Sequence, residues 1–210
     1  MVRQATAGLA VPMGLVMAVA EWESASNPAD QRGFNTLAGP PGGRRNPITT
    51  ARGLFQVVKD SAGQYGLASP AASDPYGLAD DPRADERLDP KKATVGAARV
   101  LDGFWRQAQG AGVSDPDMLA WLVYFGHSEG PGALRDVLRN AARPITPESA
   151  QAVRQRVNNG RGLTFVSQRW RYWQARYGAS GGLVKGAVKG GVLGGLAWLG
   201  WRFLRGWLGA

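Results

Sequence analysis

The chain has 210 residues, 44% hydrophobic and 20% charged, a composition that supports a domain with a proper core and excludes a disordered protein. Its formal net charge of +9 suits anionic partners such as nucleic acid, anionic lipid or cell-wall polymer, without choosing among them. With no cysteine and one histidine it has no disulfide framework, and neither a metal site nor any other cofactor is expected.

The apolar run at the start of the chain ends Ala18-Val19-Ala20, as a cleavable signal peptide would. Gly8, Pro12 and Gly14 interrupt that run, and only Arg3 gives it positive charge. Cleavage after Ala20 would also strip the helix that holds the glutamates following it, so an uncleaved segment is expected.

That first helix is expected over residues 11–26. Leu15, Val16, Met17, Ala18, Val19, Ala20 and Trp22 make it apolar almost all round, the pattern of a buried central helix. Residues 27–50 read as a loop. Within it, residues 39–47 (GPPGGRRNP) are turn-rich and basic, a candidate lid over an anionic substrate. A short helix is expected from about Asp60-Ser61, and residues 68–87, rich in Pro and Asp, read as a second loop.

Asp89-Pro90 then opens a helix with an N-cap and a proline at its first position. Ala97, Leu101, Phe104 and Ala108 follow at helical spacing, and Gly110 closes it. Ser114-Asp115-Pro116 starts the next helix in the same way, to about Phe125. Further helices are expected over residues 131–142, from Thr146-Pro147 to a stop at Asn158-Asn159-Gly160, and over residues 163–177. No strand pairs stand out, so residues 1–177 are expected to form an all-α domain.

Residues 178–210 differ in composition. They contain Lys185, Lys189, Arg202 and Arg205, no acidic residue, and glycine at every fourth position from Gly182 to Gly194. Three readings are open. Residues 190–201 are too short to span a bilayer alone, but the flanking basic side chains can snorkel. Trp198, Trp201, Phe203 and Trp207 among basic residues also suit an interfacial helix, and a flexible glycine-rich tail is the third reading. Membrane contact through residues 182–208 is the expectation. Specific nucleic-acid binding is not expected, because apolar residues dominate between few basic ones.

Two glutamates end the first helix. Glu21 and Glu23 lie about 200° apart around a helix, so they cannot both face one cleft. Both neighbouring faces are apolar, so periodicity leaves the choice open. Further motifs bear on it. Glu23-Ser24 is approached by Pro12-x-x-Leu15 and left by Asn27-Pro28. Gly53-Leu54-Phe55-Gln56 follows, and later Tyr124-x-x-His127 with Gly130-x-Gly132-Ala133.

In this order the motifs resemble those of the lytic transglycosylases of the goose-lysozyme-like superfamily (the soluble lytic transglycosylase, or SLT, type). The third motif is closest to a phage-associated variant, since Tyr124 is not followed by the usual asparagine. The resemblance spans about residues 12–138.

It implies an all-α lysozyme-like domain with a central buried catalytic helix. It makes Glu23 the catalytic acid, because the family's glutamate is followed by serine and Glu21 is not. An apolar setting favours the protonated carboxyl that such an acid needs. It implies substrate contacts by Ser24, Gly53, Gln56, Tyr124 and His127. Gly53 would let the backbone approach the sugar, Gln56 would hydrogen-bond it, and Tyr124 would support the oxocarbenium-like centre. His127 has two readings, a group in the cleft or a cap on helix-end carbonyls.

The implied substrate is the peptidoglycan glycan strand. Glu23 would donate a proton and then take one from the sugar's C6 hydroxyl, leaving a 1,6-anhydro-muramoyl end. The resemblance further suggests a phage virion or the host envelope as the location, with other virion proteins as partners. A hydrolytic muramidase would need a second carboxylate, for which Asp89 and Glu129 are the candidates. A structural virion or membrane-channel protein with a vestigial domain is the alternative of another class.

Overall fold

Proline opens four successive helices of this chain, at Pro90, Pro116, Pro131 and Pro147. The computed structural model describes residues 1–24, 51–69, 85–154 and 162–178. The helices are α1 (Val2–Ala5), α2 (Met13–Ser24), α3 (Pro90–Gly110), α4 (Pro116–Glu129), α5 (Pro131–Asn140), α6 (Pro147–Val153) and α7 (Leu163–Tyr177). Short 3-10 helices cover Lys59–Tyr65 and Glu86–Leu88. The described residues hold no strand, only an antiparallel bridge between Arg52 and Val57. Over the described residues the domain is all-α.

Asp89 caps α3 by accepting from the Lys91 and Lys92 N–H groups at 2.8 and 3.0 Å. Asp115 caps α4 through the Met118 N–H at 2.7 Å. Thr146 and Ser149 form a capping box on α6. Each cap satisfies amides the first turn leaves open and contributes about 1 kcal/mol.

Helix α2 is the centre of the core. Leu15, Val16, Ala18 and Val19 have no exposed surface, and each large side chain so buried stabilises the fold by about 1.5–3 kcal/mol. Helix α7 packs along α2, and α4 lies against α3, α5 and α7.

Polar clamps fix α7 in register. The Gly14 N–H donates to Gln174 Oε1 at 2.8 Å. Arg169 forms a two-pronged ion pair with Glu21, and Trp173 Nε1 donates to the same carboxylate at 2.7 Å. On the α4 side, Asp117 accepts from Arg171 at 2.6 and 2.8 Å and from Trp170 Nε1 at 3.1 Å. Asp102 of α3 holds the segment before α2, accepting from the Ala10 and Val11 N–H groups at 2.6 and 3.0 Å.

Several boundaries differ from the sequence expectation. Helix α4 runs on to Glu129, so Tyr124 and His127 share one helix. The helix at Asp60 is a 3-10 helix, and another lies inside the stretch read as loop. α5 ends at Asn140, where Ala141 turns to extended backbone. α6 ends at Val153, with extended backbone at Arg154. The chain divides into Met1–Tyr177 and Gly178–Ala210. Apart from Gly178 the second unit lies outside the described residues, and so does the expected membrane segment, residues 182–208. The candidate lid, residues 39–47, lies outside them too. No helix among the described residues is long and apolar enough to cross a membrane.

Candidate active site

The two glutamates of α2 go to different places. Glu21 faces α7, where Arg169 and Trp173 take up its carboxylate. Glu23 faces α4, and its Oε1 accepts a hydrogen bond from the Tyr124 hydroxyl at 2.8 Å. Tyr124 is fully buried, and its ring meets Trp22 edge-on with centroids 4.8 Å apart. Phe165 of α7 lays its ring against Trp22 at 5.6 Å and stays half-exposed. The carboxylate therefore sits at the end of an apolar helix, beside aromatic rings, with a phenol aimed at one oxygen.

The Gly53-Leu54-Phe55-Gln56 element is a tight turn closed by the Arg52–Val57 bridge, with N–H···O distances of 3.2 and 3.1 Å. Leu54 and Phe55 pack into the core. Gln56 is half-buried, has φ of 47° and donates from Nε2 to the Gly53 carbonyl at 3.0 Å.

Gly53 has φ of 75°, and a Cβ there would stand 1.9 Å from the Arg87 carbonyl oxygen. The close approach that this glycine permits is to the protein's own backbone. Arg87 braces the turn from behind. It is fully buried, pairs with buried Asp85 at 2.6 and 2.8 Å, and donates to the Val57 carbonyl at 3.2 Å. Asp85 and Arg87 fall in a stretch that reads as loop, so no periodicity marks them.

His127 lies one turn beyond Tyr124 on α4. Its Nδ1 lies 3.0 Å from the Tyr65 hydroxyl, with the Phe55 backbone close by. Burial pushes the imidazole below its ordinary value, against the Glu23 charge and the Phe55 contact, which both favour the protonated ring. Burial also pushes the Tyr65 phenol well above its ordinary value, and the Glu23 charge adds to this. Tyr65 is the residue of this cluster that sequence reasoning missed. It ends a 3-10 helix, so no α-helical pattern points to it.

Ser24 has no exposed surface, and its hydroxyl has no hydrogen-bond partner among the described residues. Asp89 is occupied as the α3 cap. Glu129 closes α4, five residues and about 140° around the helix from Tyr124.

A helical domain whose buried central helix ends in a tyrosine-bonded carboxylate has the architecture of lysozyme-like, glycan-cleaving proteins. A family model described as the transglycosylase SLT domain matches residues 1–149, well over half of the chain, so the chain belongs to that family. It is an enzyme, a lytic transglycosylase acting on peptidoglycan. No curated protein and no solved structure matches the chain. The family match ends before α7, the helix that covers α2 and engages Glu21.

Proposed function

We propose that Glu23 is both acid and base in a cleavage that leaves a 1,6-anhydro end. The carboxyl proton passes to the oxygen linking the muramoyl C1 to the next sugar, and the C1–O bond breaks. The muramoyl C6 hydroxyl attacks C1, and its proton returns to Glu23. Atoms balance without water. Tyr124 holds the carboxylate through its 2.8 Å bond and lies beside the developing positive charge. Gln56 contacts the sugar from the turn.

The Glu23–Tyr124 pairing carries this reading, because it gives one glutamate of α2 a partner across the site while Glu21 is engaged elsewhere. The engagement of Asp89 as a helix cap supports lysis over hydrolysis, which needs a second carboxylate. The test is mass spectrometry of soluble products from purified peptidoglycan, with the full chain and its Glu23→Gln variant. Anhydro ends from the first and none from the second are expected. Reducing ends would make the protein a hydrolase.

The phage setting and envelope location belong to the same proposal and rest on the tyrosine motif. Membrane contact rests on the tail's sequence alone. Flotation with anionic vesicles at low salt, with and without residues 178–210, tests it: a full chain that stays with the soluble fraction would exclude it.

A further inference from the structure

Helix α7 runs antiparallel to α2. Gln174, late in α7, meets Gly14 at the start of α2, and Arg169 meets Glu21 near its end. The first turn of α7 therefore arrives at the glutamate end of α2. There Val166 enters the core with no exposed surface. Phe165, one residue earlier and about 100° around the helix, comes out beside it.

Phe165 is 48% exposed, but it does not stand alone. Its ring lies 5.6 Å from that of Trp22, tilted by 35°. Trp22 meets Tyr124, and Tyr124 donates to Glu23. A continuous run of rings thus leads from the carboxylate to solvent and ends on Phe165. The other exposed aromatic side chains of α7, Tyr172 and Tyr177, sit further along the helix under guanidinium groups, Arg169 over the first and Arg176 over the second.

We propose that Phe165 is a glycan-binding residue: the open part of its ring stacks on the apolar face of a sugar beyond the one whose C1 reacts, and so extends the cleft onto α7. This rests on the reading of Glu23 as the acid, which places the cleft at that end of α2.

The chemistry fits the substrate of the enzyme. The pyranose rings of a β-linked glycan carry their substituents around the edge, so each face is a set of C–H bonds. Those hydrogens are weakly positive, and the face of a phenyl ring is weakly negative. A phenyl ring has no donor or acceptor, so it reads the shape and apolar face of a sugar rather than the carboxylates of the stem peptides. Trp22 holds the ring from behind, so little side-chain freedom is lost when a strand arrives. The SLT family match ends at residue 149, so this side of the cleft comes from a part of the chain that the family motifs do not describe.

The test is calorimetric titration of the full-length Glu23→Gln protein with soluble glycan strands whose stem peptides have been removed. In that background Phe165→Ala and Phe165→Leu should each weaken binding by about three- to tenfold, and Phe165→Tyr should bind within about twofold of phenylalanine. Leucine keeps the apolar packing on Trp22 and loses only the aromatic face. A leucine variant that binds as well as phenylalanine would reduce Phe165 to packing and overturn the proposal. So would a loss seen only with strands that still carry their stems, which would make the surface a peptide site.

In the active enzyme the leucine variant should raise the half-saturating strand concentration and leave the rate at saturation within about twofold, the mark of binding lost equally from ground and transition states. A fall in the saturated rate alone would also overturn the proposal. If Phe165→Ala does not fold, the leucine and tyrosine variants still decide. Strand cleavage by the Glu23→Gln protein would remove the reading of Glu23, while the comparison among the Phe165 variants would stand.

Discussion

Replacing Glu21 by glutamine is the most informative single change outside the cleft. The side chain keeps its size and an oxygen for Trp173, but loses the charge that Arg169 grips. The ion pair is partly buried, with side-chain exposures of 31% for Arg169 and 18% for Glu21. Leaving a fully buried partner unpaired costs about 3–5 kcal/mol, and a charged hydrogen bond is worth about 1.5–3 kcal/mol. Arg169 still reaches water, so a loss of about 2 kcal/mol is the reasonable figure. For a domain of this size that lowers the melting temperature by about 4–8 °C. The cost falls on the α2–α7 seam, away from Tyr124, so activity per folded molecule should hold. Calorimetry and initial rates of peptidoglycan solubilisation on the same sample read both numbers. An unchanged melting temperature with a loss of activity above about tenfold, equivalent to 1.4 kcal/mol in the barrier, would mean that Glu21 does chemistry and that the two glutamates have been assigned the wrong way round.

Gly53→Ala should cost more than about 3 kcal/mol in urea denaturation, since it adds a left-handed non-glycine residue and drives a methyl into the Arg87 carbonyl. A fully stable variant would show that the turn is not braced there. Asp102→Asn probes acid stability. Burial pushes this carboxyl up, but hydrogen bonds from Arg106 and from the Val11 and Ala10 amides outweigh it and hold it below its ordinary value. Its contribution is therefore complete above the unfolded value of about 3.9 and disappears as pH falls through the lower folded value. The variant should be less stable at neutral pH by about 1–2 kcal/mol, and the gap should close below about pH 3.9. A gap that widens in acid would reverse the sign of this argument.

The helices were legible because their starts are written in side-chain chemistry: Asp89-Pro90, Asp115-Pro116 and Thr146-Pro147 each supply a cap and a proline that needs no donor. Their ends were less legible. α4 passes Phe125 without a break, since neither Gly126 nor His127 forces a stop and Gly130 does. Periodicity could not separate Glu21 from Glu23, because a helix buried all round carries no face signal. The side chains that separate them, Arg169, Trp173 and Tyr124, are more than a hundred residues away in sequence. Tyr65, Asp85 and Arg87 were invisible for a related reason: they sit in short 3-10 turns whose roles are set by tertiary neighbours.

The clamp between α2 and α7 also bears on how the enzyme comes to exist. The partners Glu21 and Arg169 are 148 positions apart, so the helix that carries the glutamates is synthesised long before its cover. Until α7 arrives, α2 is an apolar rod with one side open, and loop closure over that distance is slow compared with forming α3 or α4. Such a surface is where a nascent chain aggregates or recruits a chaperone. Wall-cutting competence is then a late event in folding, acquired when the last helix of the core docks.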